Sequence, residues 1–230
     1  MEICVFKMVL QKALPLLAVS GLLATSAYAQ EMNPTGIYGV ARIGASITPK
    51  QKIDLDNLSA AFPDDAKYKA GLTGEIGVGY DFGRFRIEQT VGYSRNDLKS
   101  GDLRDGGFDG DGRATALNVT VAGYVDLPIT ERIVPFIGGG VGAARVKSNL
   151  SAVDAVTRAD SGFSGKDWGL LWRADAGAGY RLAPATTLEL GVRYTEISKL
   201  SYEGVSAGTD ALYKPKLSTV SATVGVRHVF

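Results

Sequence analysis

Nucleophilic or metal chemistry needs groups that attack, titrate or ligate, and this chain of 230 residues is poor in them. Its one histidine is His228 and its one cysteine is Cys4, so no His/Cys cluster offers a metal site and no thiolate is at hand outside the first few residues. Gly138-Gly139-Gly140-Val141-Gly142 and Gly177-Ala178-Gly179 are glycine-rich enough to cradle a phosphate. Neither opens a helix in a βαβ unit, and the G-x-G-x-x-G spacing fails; small residues making room for close neighbours explain them better. Asp105, Asp109 and Asp111 could gather a hard cation, but no Glu completes the calcium-loop pattern. Their Gly/Asp-rich setting reads as a solvated loop. No cofactor and no metal are expected.

The remaining chemistry is ionic. Arg42, Glu75, Glu88, Arg173, Asp175, Glu189, Arg193 and Arg227 lie between apolar residues at alternate positions, four of each sign. Such balance is what a narrow, poorly hydrated space would demand, because an unpaired buried charge is costly and a paired one is tolerated. Neighbouring strands would allow Arg42 with Glu75, Asp175 with Arg193, and Glu189 with Arg227.

The elements that must hold these charges are strands. Ile37 to Ile47 places Ile37, Ala41, Ile43, Ala45 and Ile47 on one face and Arg42 and Ser46 on the other, the two-residue period of a β-strand. The same period runs through Gly74 to Phe82, Phe85 to Tyr93, Leu117 to Leu127, Trp168 to Leu182, Leu188 to Tyr194 and Val220 to Phe230. Ile133 to Val146 is an eighth, Gly-rich segment whose register the pattern leaves open. Gln89 breaks the rule: alternation turns it to the apolar side, which implies a bulge or a place near a rim.

Connections alternate long and short. Thr48 to Ala70, Ser94 to Gly112, Lys147 to Asp167 and Ser198 to Leu217 are long; Gly83-Arg84, Pro128 to Arg132 and Ala183 to Thr187 are tight. With 45% hydrophobic and 21% charged residues the chain is no disordered polymer. Residues 1–29 predict a cleaved secretory signal: Lys7 and Lys12, an apolar run from Ala13 to Ala24, then Ala27-Tyr28-Ala29. Removing that leader, with Glu2, leaves 23 basic and 23 acidic residues over 30–230. Neutrality excludes a dedicated nucleic-acid binder. An exported chain with apolar strand faces, asymmetric connections and no further run long enough for a transmembrane helix predicts an all-β, eight-stranded antiparallel up-and-down transmembrane β-barrel, closed because lipid leaves no backbone group unbonded.

The opening I-Y-G-V-A-R-I-G, the G-V-G-Y-D-F before the first tight turn, the P-F-I-G-G-G-V-G and L-E-L-G-V-R-Y runs and the V-G-V-R-H-V-F ending resemble the small eight-stranded outer-membrane barrels. These include the OmpA-type transmembrane domain and the opacity and porin-like surface proteins of Gram-negative bacteria. The resemblance implies residence in the bacterial outer membrane, surrounded by its lipid and lipopolysaccharide, as a monomer. It implies biogenesis through periplasmic chaperones and the barrel-assembly machinery, which would read Val220, Ala222, Val224, Val226 and Phe230. His228 stands where such proteins commonly carry Tyr. Tyr80, Phe82, Phe85 and Tyr180 at the turn end, and Tyr93, Trp168, Trp172 and Tyr194 toward the loops, would form the two interfacial girdles.

The functional expectation is a non-catalytic structural and surface-exposed barrel with a charge-plugged lumen and four mobile loops. A small-conductance porin-like channel is the alternative, and less favoured are a barrel that binds a surface ligand or one that modifies outer-leaflet lipid. Lipid-modifying barrels need a base, usually His beside Ser, near the outer leaflet, and His228 falls at the opposite end.

Overall fold

The computed structural model describes residues 35–47, 50–52, 65–67, 69–97, 108–154, 160–206 and 209–230. The leader expected over 1–29 and Asp105 lie outside the described residues. Twelve strands follow one another: β1 Gly36–Ser46, β2 Lys50–Lys52, β3 Asp65–Lys67, β4 Gly71–Asp81, β5 Phe85–Asp97 and β6 Phe108–Asp126, then β7 Ile133–Asp154, β8 Asp160–Ala183, β9 Thr186–Ser198, β10 Tyr202–Ser206, β11 Thr209–Tyr213 and β12 Lys216–Val229. Among the described residues there is no helix.

Eight of the strands close a cylinder. β1 pairs antiparallel with β4, the order continues through β5, β6, β7, β8 and β9 to β12, and β12 returns to β1. A row of register partners that leaves Ile37 on β1 passes through Tyr80, Ile87, Gly123, Gly139, Ala174, Tyr194 and Val220. It comes back beside Ile47, ten residues higher on β1. This stagger tilts the strands and sets which side chains share a level inside.

The predicted tight turns are present. At the first, Gly83 adopts φ +103°, a conformation that costs a residue without Cβ little, and its N–H donates to Asp81 Oδ1 at 2.7 Å. At the second, Thr130 Oγ1 accepts the N–H groups of Arg132 and Ile133 at 3.3 and 3.0 Å.

Outward positions between the two ends are apolar, including Ile43, Ile76, Val78, Val91, Val119, Val121, Val141, Leu190, Val192, Val224 and Val226. The open register of β7 resolves with Val134, Phe136, Gly138, Gly140 and Gly142 inward and Ile133, Ile137 and Val141 outward. Gln89 corrects an expectation. Its register to Val78 and Val121 is continuous, with no bulge, and it sits four residues into β5 on the outward face, away from the strand ends.

A second correction concerns length. The strands run on past the apolar pattern, to 22 residues in β7 and 24 in β8, so much of what reads as a loop from Lys147 to Asp167 is sheet. The long segments 48–70 and 198–217 likewise carry the hairpins β2–β3 and β10–β11. The reason is an inversion of faces. Above the apolar band Lys147, Asn149, Ser164 and Lys166 point outward while Val146, Leu150 and Phe163 are buried within. There the strands meet water outside, and an apolar interior becomes the stable one. Tyr202 and Tyr213 of the β10–β11 hairpin complete this core, with rings 5.2 and 4.9 Å from Phe163.

Candidate functional site: the ionic lumen

In a closed, tilted sheet alternate residues project into one narrow space, so inward charges on seven of the eight strands must meet one another. Arg42 of β1 is the hub. Its guanidinium donates to Glu75 at 2.8 Å, to both carboxylate oxygens of Glu88 at 2.7 and 2.9 Å, and to Glu189 at 3.0 and 2.8 Å. One planar group thus uses its fork of N–H donors on three carboxylates, a geometry lysine could not reproduce. All four side chains are buried, with side-chain exposures of 0 to 5%.

Two arms extend from the hub. Toward the loops, Arg173 meets Glu75 at 2.9 Å and Asp175 at 3.3 Å, and Arg193 meets Glu75 and Asp175, each at 2.5 Å. Toward the turns, Arg227 meets Glu189 at 3.0 Å and Asp81 at 2.5 Å, and Arg86 meets Asp126 at 2.9 Å and Glu189 at 3.2 Å. The structure therefore brings together all eight charges named from the sequence, and Asp175 with Arg193 and Glu189 with Arg227 are direct partners.

Asp81, Arg86 and Asp126 are additions that extend the four-and-four set: among the described residues the network joins five arginines and six carboxylates, and Arg181 lines the turn-end mouth beside Asp81 and Asp126. Their signal lies in the same alternation, since Arg86 shares the parity of Glu88, and Asp81 and Asp126 end inward-facing series beside tight turns. Neutral donors join the charged ones. Tyr38 and Tyr124 hydroxyls donate to Glu88 at 3.2 and 3.4 Å, and Arg173 donates to the Tyr124 oxygen at 2.7 Å. The Arg86 guanidinium lies 4.8 Å from the Tyr124 ring centroid and 5.3 Å from that of Phe136, adding cation–π attraction.

Glycine makes this filling possible. A Cβ on Gly138 would collide with the Tyr124 ring, and one on Gly177 would come within 2.6 Å of the Phe136 ring. The two rings occupy that room edge to face, 5.9 Å apart. Above the network a hydroxyl-lined cavity of about 50 Å³ is walled by Ser46, Thr73, Ser94, Thr120, Thr195 and Ser221, enough for a few waters. Above that, Leu171, Ile197 and Leu217 lead into the apolar core capped by β10–β11.

Of the terminal-strand residues, Ala222, Val224 and Val226 face outward, Val220 is half-buried, and Phe230 packs edge-on against His228 with centroids 5.4 Å apart. His228 Nδ1 lies 2.9 Å from Thr186 Oγ1, at the turn end. Tyr80, Phe82, Phe85 and Tyr180 are exposed near the tight turns. Tyr93, Trp168 and Trp172 are exposed toward the other end, where Tyr194 packs 5.1 Å from Trp172.

The sequence model of a family described as the outer membrane protein beta-barrel domain matches residues 16–227. A putative adhesin of Rickettsia conorii is 30% identical over 140 residues, covering 58% of this chain and 56% of that protein. An uncharacterized protein of Brucella abortus is 26% identical over 155 residues, covering 59% and 55%. The chain thus spans a little over half the length of these curated relatives. Among solved structures, the outer membrane protein OprG of Pseudomonas aeruginosa is 17% identical with a TM-score of 0.49, covering 85% of this chain and 99% of that one. Neisserial surface protein A is 18% identical with a TM-score of 0.46, covering 85% and 99%.

Proposed function

Because the chain belongs to the outer membrane protein β-barrel family, and is a barrel of the bacterial outer membrane, we propose that it is a sealed, non-catalytic structural element of the envelope that displays its long hairpins at the cell surface. The observation that carries this reading is the Arg42 hub, gripped by three buried glutamates at the centre of the lumen. A transport path would have to displace charges whose mutual contacts replace lost hydration. The apolar layer of Phe163, Tyr202 and Tyr213 is a second barrier on the same axis.

In this reading the protein is a monomer, residues 1–29 are removed on export, and the tight turns face the periplasm. Periplasmic chaperones and the assembly machinery would engage it before insertion through the strand ending at Phe230. The lipid and lipopolysaccharide of the outer membrane are its surroundings. The description of the Rickettsia relative as a putative adhesin agrees with surface display.

A small-conductance channel is the competing reading, and the hydroxyl-lined cavity is its foothold. Planar-bilayer recording of the refolded chain separates the two. The sealed barrel gives no stable current steps, and Arg42→Ser with Arg173→Ser introduces them. Steady channels in the unaltered protein that change when Glu75 is neutralised would favour the pore.

A further inference from the structure

On the outer wall of β5 to β8 the apolar band ends in an abrupt basic zone. Tyr93, Leu117, Arg145 and Trp168 form one row of register partners, and Arg95, Thr115, Lys147 and Lys166 form the next. Lys147 and Lys166 are thus directly opposite on adjacent strands, both exposed. Like charges in that position destabilise a sheet. Arg145 shares their face two residues below Lys147 and opposite Trp168.

These three cations share one exposed face of the sheet. Among the described residues none of them is paired with a carboxylate. Asp97 is taken by Arg113 at 2.7 Å, and Asp167 accepts the backbone N–H groups of Trp168 and Ser201, each at 2.8 Å. Height identifies what could pair with them. Trp168, Tyr93 and Leu117 mark the end of the lipid-facing surface, so the cations project at headgroup level, where a membrane supplies fixed anions.

We propose that Arg145, Lys147 and Lys166, with Trp168 beneath them, form a binding site for a phosphate group carried by an outer-leaflet lipid. The phosphate oxygens accept from the three cations, the acyl chains lie along the apolar wall below, and the Lys147–Lys166 repulsion is relieved by the bound anion. The site rests on the outer-membrane placement but not on the sealed lumen, so bilayer recording and lipid retention can fail independently.

The test uses the full chain folded in a zwitterionic detergent and titrated with lipid A, either phosphorylated or dephosphorylated, with retained lipid counted by native mass spectrometry. The unaltered protein retains the phosphorylated form selectively. Lys147→Gln with Lys166→Gln weakens that retention roughly thirtyfold, the effect of two cations at an anionic surface, and Arg84→Gln, exposed in the first tight turn at the other end of the barrel, leaves it unchanged. Equal concentrations of inorganic phosphate do not compete. Without lipid A the double variant unfolds at the same or a higher urea concentration than the parent, and with lipid A at a lower one. Equal retention by parent and double variant, competition by inorganic phosphate, or a lysine-dependent preference for heparin over lipid A would each overturn the proposal. Heat-dependent gel mobility confirms that every variant compared is folded.

Discussion

Arg42 grips both carboxylate oxygens of Glu88, at 2.7 and 2.9 Å, although their strands β1 and β5 are not neighbours and β4 runs between them. The contact crosses the lumen instead of following the sheet. It makes Arg42 a tie between strands that share no backbone hydrogen bonds, and the consequences of removing it follow from what it leaves behind.

Arg42→Met strands Glu75, Glu88 and Glu189 around a missing cation. Loss of one partner from a buried ion pair costs about 3 to 5 kcal/mol, so urea unfolding in micelles, followed by the fluorescence of Trp168 and Trp172, should shift by that amount. Glu88→Gln added to Arg42→Met should cost clearly less than Glu88→Gln alone. Additive effects would mean that the two side chains do not act as a pair.

Gly138 and Gly74 should differ sharply under the same substitution. A Cβ at Gly138 drives into the Tyr124 ring that Arg173 and Arg86 hold, whereas at Gly74 the nearest atom would be 3.8 Å away. Gly138→Ala should lose about 1 to 3 kcal/mol by overpacking, and Gly74→Ala should stay within about 0.5 kcal/mol. Equal losses in the same unfolding assay would contradict this packing.

Gln89 is a polar group on the lipid-facing side between Val78 and Val121. Replacing it by Leu should stabilise the barrel folded into phosphatidylcholine vesicles by about 1 kcal/mol, the order of a partly compensated polar group. Val78→Arg should cost about 2 to 4 kcal/mol in the same vesicles. A neutral Val78→Arg would mean that this face does not meet hydrocarbon.

Asp97 and Arg113 form an exposed pair above the apolar band, and the hydrogen bond from Arg113 holds the Asp97 carboxyl below its ordinary range. A folded-state value below the unfolded one means the stabilisation is present above the unfolded value and is lost as pH falls through the folded one. NMR titration of the Asp97 carboxyl should show the depressed value, and Arg113→Gln should raise it. The stability change should be small, because solvent screens exposed pairs.

Much of this molecule was legible along the chain because lipid imposes a local rule. A strand with hydrocarbon on one side must be apolar at every second residue, so Ile76, Val78 and Tyr80 declare a face, and Glu75 and Asp81 the other, without knowledge of any partner. The tight turns at Gly83 and Thr130 are local in the same sense. The rule weakens where the strands leave the membrane. There the outer face turns polar at Lys147 and Lys166 and the inner face apolar at Val146 and Leu150, so an extended sheet looks like loop.

Sequence by itself determined the eight strands that close the ring, which way most of their side chains point, and that the inward ones carry charges in near balance, since each depends only on residues two apart. The tertiary structure decided that Arg42 meets Glu88 and Glu189, that Asp81, Arg86 and Asp126 join them, and that Gln89 faces outward without a bulge. Those outcomes depend on the ten-residue stagger accumulated around the closed ring. That quantity belongs to all the strands together and is encoded in no single one of them.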